Sequence, residues 1–167
     1  MLTNKEQRFI ESIAVSLQAR LEIIKKPNIY SFTDILKFLD NLGYKVIFNC
    51  QNNELKENSI LLSFDESQTE NNEEKFVEML QILFKYIWII TKKKADVTMV
   101  KYNDADANYF VRAMLMPEEV FMEAAIDNVD LEGMCNIFNV AKVFKVDYLD
   151  VSARGKDLGC FNPKGKE

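Results

Sequence analysis

The chain has no histidine among its 167 residues. Histidine is the commonest metal ligand and the usual general base beside a serine or cysteine nucleophile, so its absence removes most routes to hydrolytic catalysis. The sequence has no Ser-x-x-Lys arrangement in which a lysine would replace histidine as the general base, and it has no glycine-rich phosphate loop. We therefore do not expect an enzyme.

Other scarce residues narrow the class of protein further. Five glycines and three prolines exclude long low-complexity linkers, and the three widely spaced cysteines form no CxxC pair. This cysteine pattern is typical of reduced thiols in a cytoplasmic protein.

No apolar run approaches the ~20 residues of a membrane span. The longest candidate, Met79 to Ile90, is interrupted by Gln81 and Lys85, and the N-terminus lacks a signal region. We expect a cytoplasmic protein with no membrane contact.

The net charge of -5 and the pI near 5.0 disfavour direct binding to nucleic acid. Such binding requires an excess of cations that replaces condensed counterions. The run from Asp65 to Glu74 is polar and acidic. This run is typical of a solvated loop that leads into a helix N-terminus, where the helix dipole favours acidic residues.

Hydrophobic periodicity predicts an α+β chain that is mostly helical. An N-terminal helix reaches about Lys26, and two β-rich runs, Tyr44–Phe48 and Ser59–Phe64, predict antiparallel strands of a small sheet. The stretch from Glu73 to about Thr91 is apolar on nearly all sides, which indicates a central helix. Further helices are predicted at residues 104–115, 117–126, 130–138, 139–145 and 148–158.

Two ordered blocks in the second half carry a family resemblance. The first reads Asp104-Ala-Asp-Ala107-Asn108-Tyr-Phe110-Val-Arg-Ala-Met114-Leu115-Met116-Pro117. The second reads Ala141-Lys-Val-Phe144-Lys-Val146-Asp-Tyr-Leu-Asp-Val151-Ser-Ala-Arg154-Gly-Lys-Asp-Leu158-Gly159. They resemble the E-x-x-A-N-x-F-A…L-L-M-P and A-x-x-F-x-V-S-x-x-A-x-x-R-L-x-x-L-G patterns of the ImmA/IrrE family of metallopeptidases. The resemblance spans about residues 30 to 160.

The resemblance implies a zincin-like fold in a single domain over residues 1–160. Its parts are an N-terminal helix at 1–29, a zincin-like core with a small antiparallel sheet at 30–126 and a C-terminal helical unit at 127–160. Residues 161–167 are expected to be a frayed tail.

The catalytic block of the family is missing. Members carry an HExxH helix directly after the sheet, and aligning Phe76 with the phenylalanine of that pattern places Leu80 and Phe84 at the two histidine positions. Gln81 then replaces the glutamate that acts as general base, while Asp104 matches the third ligand. Leucine and phenylalanine have no lone pair for zinc, and glutamine has no titratable carboxylate.

Two interpretations of Leu80, Gln81 and Phe84 stay open. They are either ordinary core residues of a buried helix, or a former zinc site that apolar side chains have filled while the scaffold was retained. Both predict a protein with no metal and no cofactor.

Active members of the family cleave repressor proteins and are often encoded by phages and mobile elements. Losing the metal while keeping the scaffold leaves binding, so the resemblance implies an inactive, protein-binding regulator or inhibitor whose partner is a repressor or a host defence protein. We expect the partner in a groove at Leu62 and Ser63 on a strand edge, above an apolar patch at Leu80 and Phe84. The C-terminal block, Phe138 to Phe161, is the alternative docking element. It looks somewhat like a helix-turn-helix half, although simple helical packing explains it equally well.

A second function class is an acidic inhibitor or nucleic-acid mimic. In that class the carboxylates from Asp65 to Glu78 would occupy a cationic channel of a target protein. Charge reversal at Glu70, Glu73 and Glu74 discriminates the two classes, because a mimic would lose most of its affinity and a groove binder little.

Overall fold

The computed structural model describes residues 4–21, 32–69, 73–95 and 104–161. Within these ranges the chain forms seven α-helices and three β-strands. The helices are α1 (Asn4–Arg20), α2 (Phe32–Asn41), α3 (Glu73–Ala95), α4 (Asp104–Leu115), α5 (Glu118–Asp127), α6 (Ile137–Phe144) and α7 (Tyr148–Asp157), and the strands are β1 (Lys45–Ile47), β2 (Glu54–Lys56) and β3 (Ser59–Leu61). The predicted α+β class with mostly helical content is confirmed.

The chain divides into two compact units. One unit combines Met1–Ile29 with Arg112–Glu167, and the other is Tyr30–Val111. The boundary between Val111 and Arg112 lies inside α4. The N-terminal helix therefore belongs with the C-terminal helices, through contacts between residues far apart in sequence.

The sheet of the Tyr30–Val111 unit is mixed, so the prediction of an antiparallel pair is wrong. β1 pairs with β3 in parallel, with Val46 opposite Ile60. β2, which the sequence analysis missed, pairs antiparallel with β3 and places Leu55 opposite Ile60. β3 is therefore the central strand of the order β1-β3-β2. A tight turn joins β2 to β3, so these two strands run in opposite directions. β3 therefore passes between β1 and β2 in the same direction as β1.

The core of this unit is built from α2, the sheet, α3 and the first part of α4. Each element contributes apolar side chains that are less than about a tenth exposed, consistent with the hydrophobic periodicity of its sequence. A short 3-10 helix, Glu66–Thr69, connects β3 towards α3. The main buried side chains are Ile35, Leu39, Ile60, Leu62, Phe64, Met79, Leu80, Leu83, Phe84, Tyr86, Trp88, Tyr109 and Phe110.

The other unit packs α5, α6 and α7 around one apolar cluster. Met116, Phe121, Val140, Phe144 and Val151 are its largest members, and the rings of Phe121 and Phe144 stack with centroids 6.0 Å apart. The helices predicted at 130–138 and 139–145 are one helix, α6, preceded by a loop. Asn136 starts α6, because its side chain accepts a hydrogen bond from the Asn139 amide.

Helix α1 is tied to this unit by buried polar contacts. Gln18 Nε2 donates to the Ala113 carbonyl at 2.9 Å. Arg154 on α7 is completely buried, donates to the Met116 carbonyl at 3.0 Å and forms a two-pronged ion pair with Glu11. A buried guanidinium needs such partners, because an uncompensated charge is costly to remove from water.

None of the described helices combines the length and apolarity that crossing a membrane would require.

Candidate functional site

The three residues that the resemblance aligns with the HExxH motif lie on α3. Leu80 and Phe84 are one helical turn apart and both are completely buried. The Phe84 ring stacks on Phe110 of α4 with centroids 4.8 Å apart, and it also contacts Trp88 at 5.4 Å. Apolar packing therefore occupies the face of α3 on which two imidazoles would converge in a zinc peptidase.

Gln81 also lies at the contact between α3 and α4. Its Nε2 donates to Asn108 Oδ1 at 2.9 Å. Asn108 belongs to the first of the two blocks that resemble the peptidase family, and so does Phe110. Residues of α3 and α4 that the resemblance singles out are therefore in contact with each other. An amide–amide hydrogen bond is neutral at every accessible pH, so this pair transfers no proton.

Asp104, the residue matched to the third ligand, occupies the first turn of α4 and is exposed. It lies one turn before Asn108, on the same face of the helix. Asp106 is also in the first turn but is buried, at 2% exposure. The first turn of a helix stabilises carboxylates through the helix dipole, which is sufficient to explain the exposed Asp104.

The predicted apolar patch is not a surface in this structure. Leu62, Leu80 and Phe84 all have 0% exposure, and only Ser63 is exposed. The reason is that α3 carries apolar side chains nearly all round, so its ligand-position face is covered by α4 instead of lining an open groove. Of the four predicted binding residues, Ser63 alone is accessible to a partner.

The prediction that Ser59–Phe64 offers a free strand edge is also wrong. β3 lies between β1 and β2, so both of its edges are paired over Ser59–Leu61. Beyond the strand, the Leu62 amide donates to the Ile47 carbonyl at 2.8 Å and the Ser63 amide donates to Asn53 Oδ1 at 2.8 Å. A peptide strand adding to this sheet would have to pair with β1 or β2 instead.

Potential metal donors do not converge in the part of the chain that the structure describes. No group of three Cys, Asp or Glu side chains there is arranged to hold an ion. Cys50, Cys135 and Cys160 are free thiols. Burial raises the pKa of the Cys135 and Cys160 thiols, which favours their neutral form over the thiolate that metals and electrophiles require.

Helices α6 and α7 cover most of the predicted C-terminal docking element, Phe138 to Phe161. Lys145 ends α6 in the left-handed conformation, with φ of 50°, and Asp147 starts α7 by accepting a hydrogen bond from the Leu149 amide at 2.7 Å. The exposed rings of Phe138 and Tyr148 contact each other across the pair, with centroids 5.0 Å apart. Two exposed carboxylates, Asp147 and Asp150, stand at the start of α7.

Sequence reasoning missed an exposed apolar surface on α5 and the loop that follows it. Ile126, Leu131 and Met134 are among its side chains, and each is at least 66% exposed. A usable signal was present, since residues 113–141 contain six acidic residues and no lysine or arginine. An apolar segment flanked only by acidic charges is unusual for a purely structural helix surface, where both signs are normally interspersed.

No family model matches this chain, and no curated protein or solved structure matches it either. The resemblance to the ImmA/IrrE family therefore stays a prediction that depends on the two sequence blocks.

Proposed function

We propose that this chain is a catalytically inactive, zincin-like relative of the ImmA/IrrE peptidases that acts by binding another protein. The observation that supports this most directly is the contact between α3 and α4. Leu80 and Phe84 occupy the ligand positions as core residues, and Gln81 donates to Asn108 at 2.9 Å. In this proposal the scaffold keeps the pairing of α3 with α4, while its ligand positions are apolar. It therefore retains its shape and its binding surface but does not catalyse hydrolysis.

The inactivity follows from the side chains themselves. A zinc peptidase needs two imidazoles at i and i+4 and a carboxylate that deprotonates the metal-bound water. This chain has no histidine, and Gln81 stands at the position of the carboxylate. The single carboxylate of Asp104 is a poor zinc site by itself.

The partner in this proposal is a repressor or a host defence protein, and the chain originates from a phage or a mobile element. This part of the proposal depends on the resemblance, because active members of the family act on repressors. Binding as a regulator or inhibitor is the activity that a peptidase scaffold keeps after losing its metal.

The competing proposal, an acidic mimic of nucleic acid, has less support from the structure. Asp65 accepts hydrogen bonds from Ser67 and Asn49, and Glu78 pairs with Lys75 at 3.1 Å. Carboxylates at both ends of the acidic run are thus used in local contacts. Of the residues for the discriminating charge reversal, Glu70 lies outside the described residues, while Glu73 and Glu74 begin α3.

The peptidase-like scaffold can be tested by restoring its ligands. We expect a variant with Leu80→His, Gln81→Glu, Phe84→His and Asp104→Glu, refolded with zinc, to bind about one zinc ion per chain. The matched control carries Met79→His and Leu83→His, which are also one turn apart and completely buried, together with Gln81→Glu and Asp104→Glu. Equal zinc binding by both variants, or by neither, would count against a zincin-like arrangement.

The binding activity is tested with the unmodified chain. We expect the tagged protein to retain one specific partner from its source cells, in a complex that survives a second purification step and reconstitutes from the two purified proteins. A chain that reconstitutes with no cellular protein would refute the proposed function.

A further inference from the structure

Helix α5 exposes an apolar stripe beside an acidic one. Its inner side is buried against the cluster of its unit through Phe121, Ala124 and Ala125. On its outer side Met122 and Ile126 are exposed at a spacing of four residues, so they lie on one face. The acidic stripe runs beside them at the same spacing and consists of the exposed residues Glu119, Glu123 and Asp127.

The loop after α5 is held in one conformation by its own hydrogen bonds. The Asp130 carboxylate accepts from the Glu132 amide at 2.9 Å and from the Met134 amide at 2.8 Å. The Asp130 amide donates to the Met134 carbonyl at 2.9 Å, and Val129 forms an isolated antiparallel bridge with Cys135. Gly133 supplies the left-handed conformation, with φ of 80°, that the tight turn requires.

This fixed loop presents apolar side chains to solvent. Leu131 is fully exposed at its tip, and Val129 and Met134 are exposed on either side. The loop continues directly from α5, since the Val129 amide donates to the Ile126 carbonyl at 3.1 Å. We name Met122, Ile126, Val129, Leu131 and Met134 together the α5 face. Because the backbone is already ordered, a partner that covers this face gains apolar burial with little further loss of conformational entropy.

The charges around the α5 face determine which partner fits it. Residues 113–141 carry six carboxylates and not one lysine or arginine. We propose that the α5 face binds a cationic amphipathic helix of a partner protein. Such a helix would place its apolar stripe on Met122, Ile126 and Leu131, and its lysines or arginines beside the acidic stripe. The flexible methionines at both ends of the face suit a helical partner whose side chains vary.

Two other occupants are disfavoured by the same charges. Nucleic acid would bring its phosphates against the carboxylates of the acidic stripe. A second copy of the chain joined through a two-fold contact would place the same acidic stripe against itself. Both are tested below as outcomes that would refute the proposal.

This inference depends on the proposed function, because it names the class of partner and the surface that contacts it. It makes no use of the α3–α4 contact, so the two can fail separately.

The experiment uses the full chain and a synthetic probe. The probe is an amidated peptide of leucine and lysine, about 14 residues and roughly 21 Å long as a helix, with leucines at helical spacing. One control peptide has the same composition with the leucines dispersed around the helix, and a second replaces every lysine with glutamate. We expect the fluorescently labelled probe to bind in an anisotropy titration, with both controls at least about tenfold weaker.

Variants locate the binding surface. We expect Ile126→Ser and Leu131→Ser each to raise the Kd of the probe at least about fivefold, since exposed apolar anchors dominate such interfaces. Glu123→Lys with Asp127→Lys should raise it about tenfold at low salt, and the difference should shrink as salt screens the charges. Matched controls are Val15→Ser on the exposed side of α1 and the pair Asp40→Lys with Glu57→Lys, all at exposed positions outside the α5 face. These should leave the Kd unchanged.

Several results would overturn the inference. The first two are that the dispersed-leucine peptide binds as tightly as the probe, or that the α5-face variants bind the probe with wild-type affinity. The third is that the protein binds duplex DNA and the α5-face variants do not. The fourth is that sedimentation equilibrium shows a dimer that Leu131→Ser dissociates. If the cellular partner is captured equally well by wild type and by the α5-face variants, the proposed function stands and this inference is wrong. If the probe binds at the α5 face but no cellular partner reconstitutes, the α5 face binds cationic helices as inferred and the proposed function is wrong.

Discussion

At the scale of single residues, Arg154 is the most consequential side chain of its unit. Its guanidinium is completely buried and binds both Glu11 and the Met116 carbonyl, so it joins α7 to α1 and to the end of α4. Arg112 forms the more accessible counterpart, an ion pair with Asp157 at 2.7 Å. The two arginines therefore allow a comparison of a buried and a half-buried ion pair within one unit.

We predict that Arg154→Ala lowers the free energy of unfolding by about 3–5 kcal/mol, because Glu11 keeps an unpaired charge in a largely buried place. Arg112→Ala should cost less, about 1–3 kcal/mol, because the Arg112 side chain is 18% exposed whereas that of Arg154 is 0% exposed. Replacing Glu11 and Arg154 together by methionine should recover most of the loss. Urea denaturation measures all three, and equal losses for the two single alanine variants would contradict this account.

Asp65 provides a prediction of pH dependence. Hydrogen bonds from the Ser67 hydroxyl, from Asn49 and from the Ser67 amide lower the pKa of Asp65 from 3.8 to about 2. A lowered pKa means that the folded protein stabilises the ionised form. This contribution is complete above pH 3.8 and is lost as the pH falls towards 2.

We expect an NMR titration to give a midpoint near 2 for the Asp65 carboxyl, with the Ser67 amide losing protection over the same pH range. Ser67→Ala should move the midpoint back towards 3.8 by more than Asn49→Ala does, because the Ser67 hydroxyl is the largest cause of the shift. An ordinary midpoint in the wild-type protein would show that this cluster of hydrogen bonds does not form in solution.

At the scale of elements, the end of α7 depends on a glycine for packing. A β-carbon on Gly155 would overlap the ring of Phe161, which packs on that position. The amides of Cys160 and Phe161 both donate to the Gly155 carbonyl, at 2.8 and 3.2 Å. The chain after α7 therefore folds back over the helix at the one position that has no side chain.

We predict that Gly155→Ala destabilises the protein by about 1–3 kcal/mol, although the same change in an open helix would stabilise it by about 1 kcal/mol. In a Phe161→Ala background the sign should reverse, because the overlap is gone and only the helix propensity remains. A thermal unfolding cycle over the four proteins tests this, and an unchanged sign in that background would exclude Phe161 as the cause.

Local sequence patterns predict some of the helices and strands and miss others. Helices α3 and α4 were predictable because their apolar residues extend over several turns without an interrupting proline or glycine. β2 was not, because Glu54-Leu55-Lys56 is short, polar at both ends and stabilised by its pairing with β3. That missing strand produced both errors about the sheet, the antiparallel pairing and the free edge of β3.

The sequence predicted that Leu80 and Phe84 share one face of α3, but it did not predict that both are buried. The spacing of Leu80, Gln81 and Phe84 places them on a definable face of α3. A helix that is apolar nearly all round, however, gives no signal that tells an open groove from a contact with α4. Asn108 and Phe110 of α4 contact this face of α3 and cover it. These contacts join residues too far apart in sequence for a local pattern to predict.

At the scale of the whole molecule, the sequence predicts a protein without bound zinc. We expect the purified chain to contain well below one zinc ion per molecule and its Tm to be unchanged by added zinc, because a structural zinc would stabilise the fold strongly. Elemental analysis and a thermal scan with and without a chelator test this. About one zinc ion per chain, held by Asp104 and cysteines, would refute the inactive-peptidase proposal.

The long separations within one unit have a consequence for how the chain is made. Gln18 and its acceptor Ala113 are 95 residues apart, and Glu11 and Arg154 are 143 apart. At about 5–20 residues per second, α1 is synthesised on the order of ten seconds before Arg154 exists. The Tyr30–Val111 unit has all of its residues in one continuous stretch and can complete its contacts during that interval. Helix α1 therefore waits for its native neighbours longer than the helices of the Tyr30–Val111 unit do, and its apolar face stays uncovered on the nascent chain during that interval.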